Sequence, residues 1–129
     1  MATCDIELIL FRQLASTLAM PIFLIDETGD LVFFNEPAEL LLGRRFEETG
    51  AMPASEWATT WTPEDESGAP LPTEELPLWC ALRQNRPKHR AFWIRSSDGV
   101  RREIEAVGFP LVGQTGRKVG AAVLFWERS

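Results

Sequence analysis

The side chains able to do chemistry in this chain are few. Its 129 residues include one histidine, two cysteines and five tryptophans, and no tyrosine. A nucleophilic centre needs a base within hydrogen-bond reach, and His89 is the sole imidazole that could serve. It sits in RPKHRAF, a basic and polar stretch opening a β-rich run, and reads as an exposed side chain. There is no Gly-rich phosphate loop and no metal-spaced His/Cys cluster. No catalytic set can be assembled, so the chain is not expected to be an enzyme, and no metal site is expected. Cys4 and Cys80 make no disulfide framework, which fits a reducing cytoplasm. Cys80 falls in a helical pattern, where it reads as a small buried hydrophobe.

The tryptophans, Trp57, Trp61, Trp79, Trp93 and Trp126, are the most unusual feature. Each indole buries a large area, so packing accounts for any of them. For Trp57, Trp61 and Trp79 an aromatic-walled pocket for a flat or apolar ligand is an equal alternative. Trp93 and Trp126 are assigned to packing. Asp26 and Asn35, set between large apolar residues, read as a turn acceptor and a helix cap.

Hydrophobic patterning says which elements hold these residues. Residues 5 to 19, DIELILFRQLASTLA, predict a helix. Ile6, Ile9, Leu10, Leu14 and Leu18 recur at helical spacing, Leu8 and Phe11 widen the stripe, Asp5 is a cap and Pro21 a stop. PIFLID and LVFFN are β-rich runs joined by ETGD, a tight hairpin. Both are apolar at nearly every position and so need cover on both faces. After Asn35, EPAELLLG predicts a short helix with Pro37 in its first turn and Gly43 as its end. ASEWATTW predicts another, TPEDESGAPLP a loop, and Leu76 to Asn85 a third helix. HRAFWIR and RREIEAVGF flank the hairpin signal SSDGV, and LVGQTGRK turns the chain into the apolar, central run VGAAVLFWE. In the second of these strands Ile104, Ala106 and Gly108 share one face, and Glu103 and Glu105 the other. The order predicts an α+β domain built on one antiparallel sheet. Helices from the middle of the chain cover one face, and the first helix or another subunit covers part of the other.

The totals narrow the partners. At this length the chain holds one domain and buries about two-thirds of its unfolded surface. A net charge of -6 argues against nucleic acid. Up to Glu75, 15 acidic residues stand against three basic ones, and after it four stand against ten. That asymmetry describes a solvated acidic region beside basic strands, or a two-sided surface that steers a partner or second copy. No apolar run approaches the ~20 residues that span a bilayer, so no membrane partner is expected. MATCDIELIL lacks a basic leader, so a secretory signal is not expected and the location is expected to be cytoplasmic.

The ordered set of motifs resembles the PAS sensory domain from about Ala19 to Ser129. The residues carrying the resemblance are Asp26 at the end of a strand, Gly29 in the turn, Asn35 after the second strand, the helix PAELLL and Gly43. DESGAPLPTEELPLWCAL is similar to the segment leading into a later helix of bacterial members. SSDGVRREIEAVGFPLVGQTGRKVGAAVLFWERS is similar to the family's last three strands. The resemblance implies a five-stranded sheet in the order 2-1-5-4-3, with helices over its concave face. Residues 1–20 would form an N-terminal amphipathic helix, a cap or dimer element, and residues 21–129 the PAS domain. Family members usually end on an Asp-Ile-Thr-like motif leading to an output domain. Glu127, Arg128 and Ser129 depart from it, and the expectation is a stand-alone or excised sensor.

Between sheet and helices the family holds its ligands. Phe23, Ile25, Trp57, Trp61, Trp79, Val123 and Phe125 are therefore the candidate lining, with Leu24 turned to the first helix or a partner and Trp126 toward the first helix. Some members bind haem through one axial histidine, but the polar setting of His89 reads as exposure. The Asn-Cys-Arg-like motif of flavin-binding members is absent, and nothing resembles a p-coumaroyl site. The cofactor stays unknown. The resemblance implies signal transduction by one of two routes. A bound small molecule would act through a homodimer or a separate signalling partner, or a ligand-free module would act by protein contacts alone.

Overall fold

The computed structural model describes residues 3–113 and 116–128, with side chains from Ile6 onward. Residues 114 and 115, the tip of the expected last turn, and Ser129 lie outside the described residues. A helix, α1 (Thr3–Thr17), precedes a hairpin of β1 (Ile22–Asp26) and β2 (Leu31–Phe34). Short helices follow: α2 (Glu36–Leu42), α3 (Phe46–Thr49) and α4 (Ala54–Thr60). A 3-10 turn (Thr73–Glu75) leads into α5 (Pro77–Gln84). Then come β3 (Lys88–Arg95), β4 (Arg101–Val112) and β5 (Lys118–Glu127). The sheet is antiparallel in the order β2-β1-β5-β4-β3. The expected α+β architecture is present, and the most apolar strand, β5, is central.

Local chemistry explains the boundaries. The carboxylate of Asp26 accepts from the N–H groups of Thr28 and Asp30 and from the Thr28 hydroxyl. Gly29, at φ 95°, supplies the left-handed residue that closes the β1–β2 turn. Asp65 does the same in DESGA, accepting from Ser67 N–H, Ser67 O–H and Ala69 N–H. Asn35 caps α2 at Ala38 N–H, and Gly43 ends that helix in the left-handed region. Asn85 ends α5 in the same way, at φ 57°.

Two expectations about the ends of α1 are corrected. α1 runs through Asp5, so Asp5 is not its cap. Its end comes at Thr17 rather than residue 19, where the hydroxyls of Ser16 and Thr17 bond back to the carbonyls of Gln13 and Leu14. α3 was not legible, being a single turn in the irregular middle of the chain.

Two apolar layers result. On the concave face, α4 and α5 cover Phe23, Ile25, Phe34, Ile104, Ala106, Val123 and Phe125. On the convex face, α1 covers Ile22, Leu24, Leu111, Val119 and Ala122 with Leu8, Phe11, Ala15 and Leu18. Leu24 thus faces α1 and Phe23 the opposite way, as strand alternation requires. The outcome for α1 differs from the expected stripe. Ile6, Ile9, Leu10 and Leu14 are exposed, and the sheet-facing row is Leu8, Phe11, Ala15 and Leu18. Trp126 lies in a surface groove with Pro21 and Leu40, outside the α1 cluster.

Candidate functional site

A cavity of about 80 Å³ lies between the sheet and its concave-face helices. Its floor comes from side chains that alternate inward on four strands: Phe23 on β1, Val123 and Phe125 on β5, Ile104 and Ala106 on β4, and Phe92 and Ile94 on β3. Trp57 on α4, Trp61 just after it, Leu42, Pro63 and the first residues of α5 close the roof. Among the described residues, no titratable side chain lines it. Pockets for drug-sized ligands start near ~300 Å³, so this one suits only a small molecule.

The space is small for two reasons. First, aromatic rings fill it. Phe23 stacks on Phe34 at 5.7 Å, and Trp57 and Trp61 meet Phe23 edge-on at 5.8 and 6.0 Å. Second, α5 rests directly on β4. A Cβ at Gly108 would stand 2.3 Å from the Pro77 carbonyl oxygen, so only glycine permits that approach. The indoles differ in their polar ends. Trp57 Nε1 donates to the Gly29 carbonyl at 2.8 Å. Trp61 Nε1 is buried and has no hydrogen-bond partner among the described residues.

Of the seven expected lining residues, Phe23, Trp57, Trp61, Val123 and Phe125 are on the cavity wall. Ile25 shares their face but lies two residues farther along β1, fully buried in the same core. Trp79 is off the wall as well. It sits at the core's edge against the β1–β2 turn, with the Arg83 guanidinium 4.8 Å from its ring centre. Leu78, Ala81 and Leu82 take the inward face of α5, and one helical residue is about 100° of rotation. The wall residues that had been missed come mostly from β3, β4 and the start of α5. Their signal was the two-residue alternation Phe92/Ile94 and Ile104/Ala106.

The other reactive side chains are elsewhere. His89 Nε2 lies 2.8 Å from Glu105 Oε1 on the exposed sheet surface. Cys80 is buried, with its thiol against the Glu74 carbonyl at 3.1 Å. Among the described residues no group of three His, Cys, Asp or Glu is placed to hold a metal ion. Nor is any helix long and apolar enough to cross a membrane.

A family model described as the PAS fold matches residues 9–127. The chain belongs to the PAS family. Its architecture is similar to solved PAS structures of low identity. One is the PAS domain of a protein from Colwellia psychrerythraea, 19% identical, with a TM-score of 0.66 over 94% of this chain and 96% of that one. A second is the LOV protein of Rhodobacter sphaeroides, 13% identical, with a TM-score of 0.73 over 95% and 68%. A third is the PAS domain of nitrogen regulation protein NR(II) from Vibrio parahaemolyticus, 15% identical, with a TM-score of 0.63 over 92% and 98%. At these identities the likeness concerns the fold. No curated protein matches in sequence. As a PAS domain the chain is a sensory and signal-transduction module.

This PAS domain has a second candidate surface, the outer side of α1. Ile6, Leu10 and Leu14 follow one another at four-residue steps, with Ile9 beside them, and each is more than half exposed. The opposite side of the same helix is fixed to the sheet.

Proposed function

We propose that this PAS domain signals by self-association through the outer face of α1. The observation that carries the reading is an apolar row, Ile6, Ile9, Leu10 and Leu14, facing solvent on a helix whose other face is already buried. A helix apolar on both sides is stable in water only when both sides are covered. A second copy suits the outer side because its own α1 offers the same four-residue spacing, and a two-fold contact needs only one self-complementary patch. The two-cysteine composition supports a cytoplasmic site of action, and the reading assigns no enzymatic role. Sedimentation at micromolar concentration tests it. The wild-type chain should run as a dimer, and a Leu10→Glu/Leu14→Glu variant as a folded monomer. A wild-type monomer with native circular dichroism would refute the reading.

A second reading, ligand sensing in the cavity, is favoured by the unpartnered indole N–H of Trp61. A buried donor without an acceptor costs about 1–3 kcal/mol, and a small apolar molecule with one carbonyl or ether oxygen would satisfy it. Phe23, Val123 and Phe125 would hold its apolar part. Native mass spectrometry and absorbance of freshly purified protein test this input, together with thermal shifts against small ketones and ethers. No retained mass and no shift would count against it.

A further inference from the structure

We infer that the side chain of Asn35 is the joint that ties α1 to the aromatic core, so that rearrangement around Phe34 moves α1. The inference builds on the proposed role of α1. Asn35 is 1% exposed and uses both ends of its amide on different elements. Its Oδ1 accepts from Ile22 N–H at 3.1 Å and Ala38 N–H at 3.2 Å, which anchors the start of β1 and caps α2. Its Nδ2 donates to the carbonyls of Ala15 and Met20, both at 3.0 Å, and reaches Leu18 at 3.5 Å. The partners fix which end is which, because two backbone donors can face only the oxygen and three carbonyls only the NH₂.

The arrangement has a consequence beyond capping. A helix cap ordinarily serves its own helix. Here the donor half serves carbonyls at and beyond the end of a helix that lies twenty residues earlier in the chain. The residue directly before the joint, Phe34, is fully buried, stacks on Phe23 and meets Trp61 edge-on at 6.0 Å. Cavity wall, Phe34, Asn35 and the C-terminal carbonyls of α1 therefore form one short physical path. At the other end of α1, Glu7 pairs with Arg117 beside β5, and the faces between the two polar anchors are apolar. On this inference α1 is either seated, as here, or released from the sheet. The donor half of Asn35 favours the seated arrangement.

The two halves of the amide can be separated by substitution. Asn35→Ser keeps a good N-cap for α2 but is too short to reach the carbonyls of α1. Asn35→Asp keeps both acceptor contacts and presents an oxygen to those carbonyls. Hydrogen exchange of the full chain reads the outcome. In both variants the amides of α1 should exchange about tenfold faster, while those of α2, β4 and β5 keep their wild-type rates. Trp61→Phe should change α1 exchange at least about twofold with Asn35 present and leave it unchanged in the Asn35→Ser background. Unaltered α1 exchange in the folded variants would overturn the joint. So would a uniform loss of protection across sheet and helix, or additive effects of the two substitutions. Trp61→Phe alone keeps the test open should both Asn35 variants fail to fold, since wild-type α1 exchange in it also refutes transmission. Sedimentation of the same samples reports self-association separately, so failure of the dimer and failure of the joint are told apart.

Discussion

Single residues show how similar side chains acquire different roles here. Asp26 and Asp65 make the same turn in DETGD and DESGA, each collecting a hydroxyl and two backbone donors two and four residues on. The first was legible because β-rich runs flank it, and the second read only as a loop because prolines surround it. Trp57 and Trp61 could not be told apart from their types. Both are buried against Phe23, yet one indole N–H is bonded and the other has no partner among the described residues. Trp57→Phe should therefore cost about 1–2 kcal/mol more stability than Trp61→Phe, because it leaves the Gly29 carbonyl without its donor. Urea denaturation of the two variants checks the order, and equal or reversed costs would contradict the assignment.

Among the elements, α1 departs most from its sequence reading. The helix is legible, but Ile6, Ile9, Leu10, Leu14 and Leu18, widened by Leu8 and Phe11, read as one continuous stripe that does not say which residues meet the sheet. Small Ala15 proves to be the residue of α1 buried in the cluster against the sheet, and larger Leu14 is its exposed neighbour. Size misled, because a helix lying flat on strands needs a small residue where backbones approach. Ala15→Leu should then destabilise the fold by about 1–3 kcal/mol through overpacking. Leu14→Ala, measured below the dimer concentration, should stay within about 0.5 kcal/mol. A larger loss for Leu14→Ala than for Ala15→Leu would reverse the faces assigned to α1. In α5, Leu78 and Leu82 stand four residues apart and so share a face by spacing alone, but the seat of Pro77 on Gly108 is not legible in the sequence, since it joins positions 31 residues apart.

At the scale of the molecule, an ion cluster ties the loop from Trp61 to Leu71 to the β3–β4 edge. Glu64 meets Arg101 Nε at 2.9 Å and Arg95 Nε at 3.5 Å, and Arg101 lies 4.0 Å over the Trp93 ring. The Arg101 hydrogen bond, with Arg95 adding to it, holds the Glu64 carboxyl below its usual range. The Ser67 hydroxyl, then Ala69 N–H, does so for Asp65. A carboxyl whose folded value is depressed stabilises the fold above its unfolded value, and that contribution is lost as pH falls through the folded one. The urea midpoint should hold from neutral pH to about pH 5 and fall below about pH 4, with a shallower acid limb in Glu64→Gln. A midpoint unchanged at about pH 3 would contradict this.

The strand order 2-1-5-4-3 came from the resemblance to the PAS family, whereas periodicity, turn residues and caps in the sequence were enough for the order of elements, the hairpins and the two apolar faces of the sheet. Each of those rests on local geometry that one short segment specifies alone. The cavity's small volume, the separate fates of Trp57 and Trp61, and the reach of Asn35 to the carbonyls of α1 came only with the folded chain. They depend on how closely distant backbones approach, and that distance is set by the sum of the packed side chains rather than by any one segment.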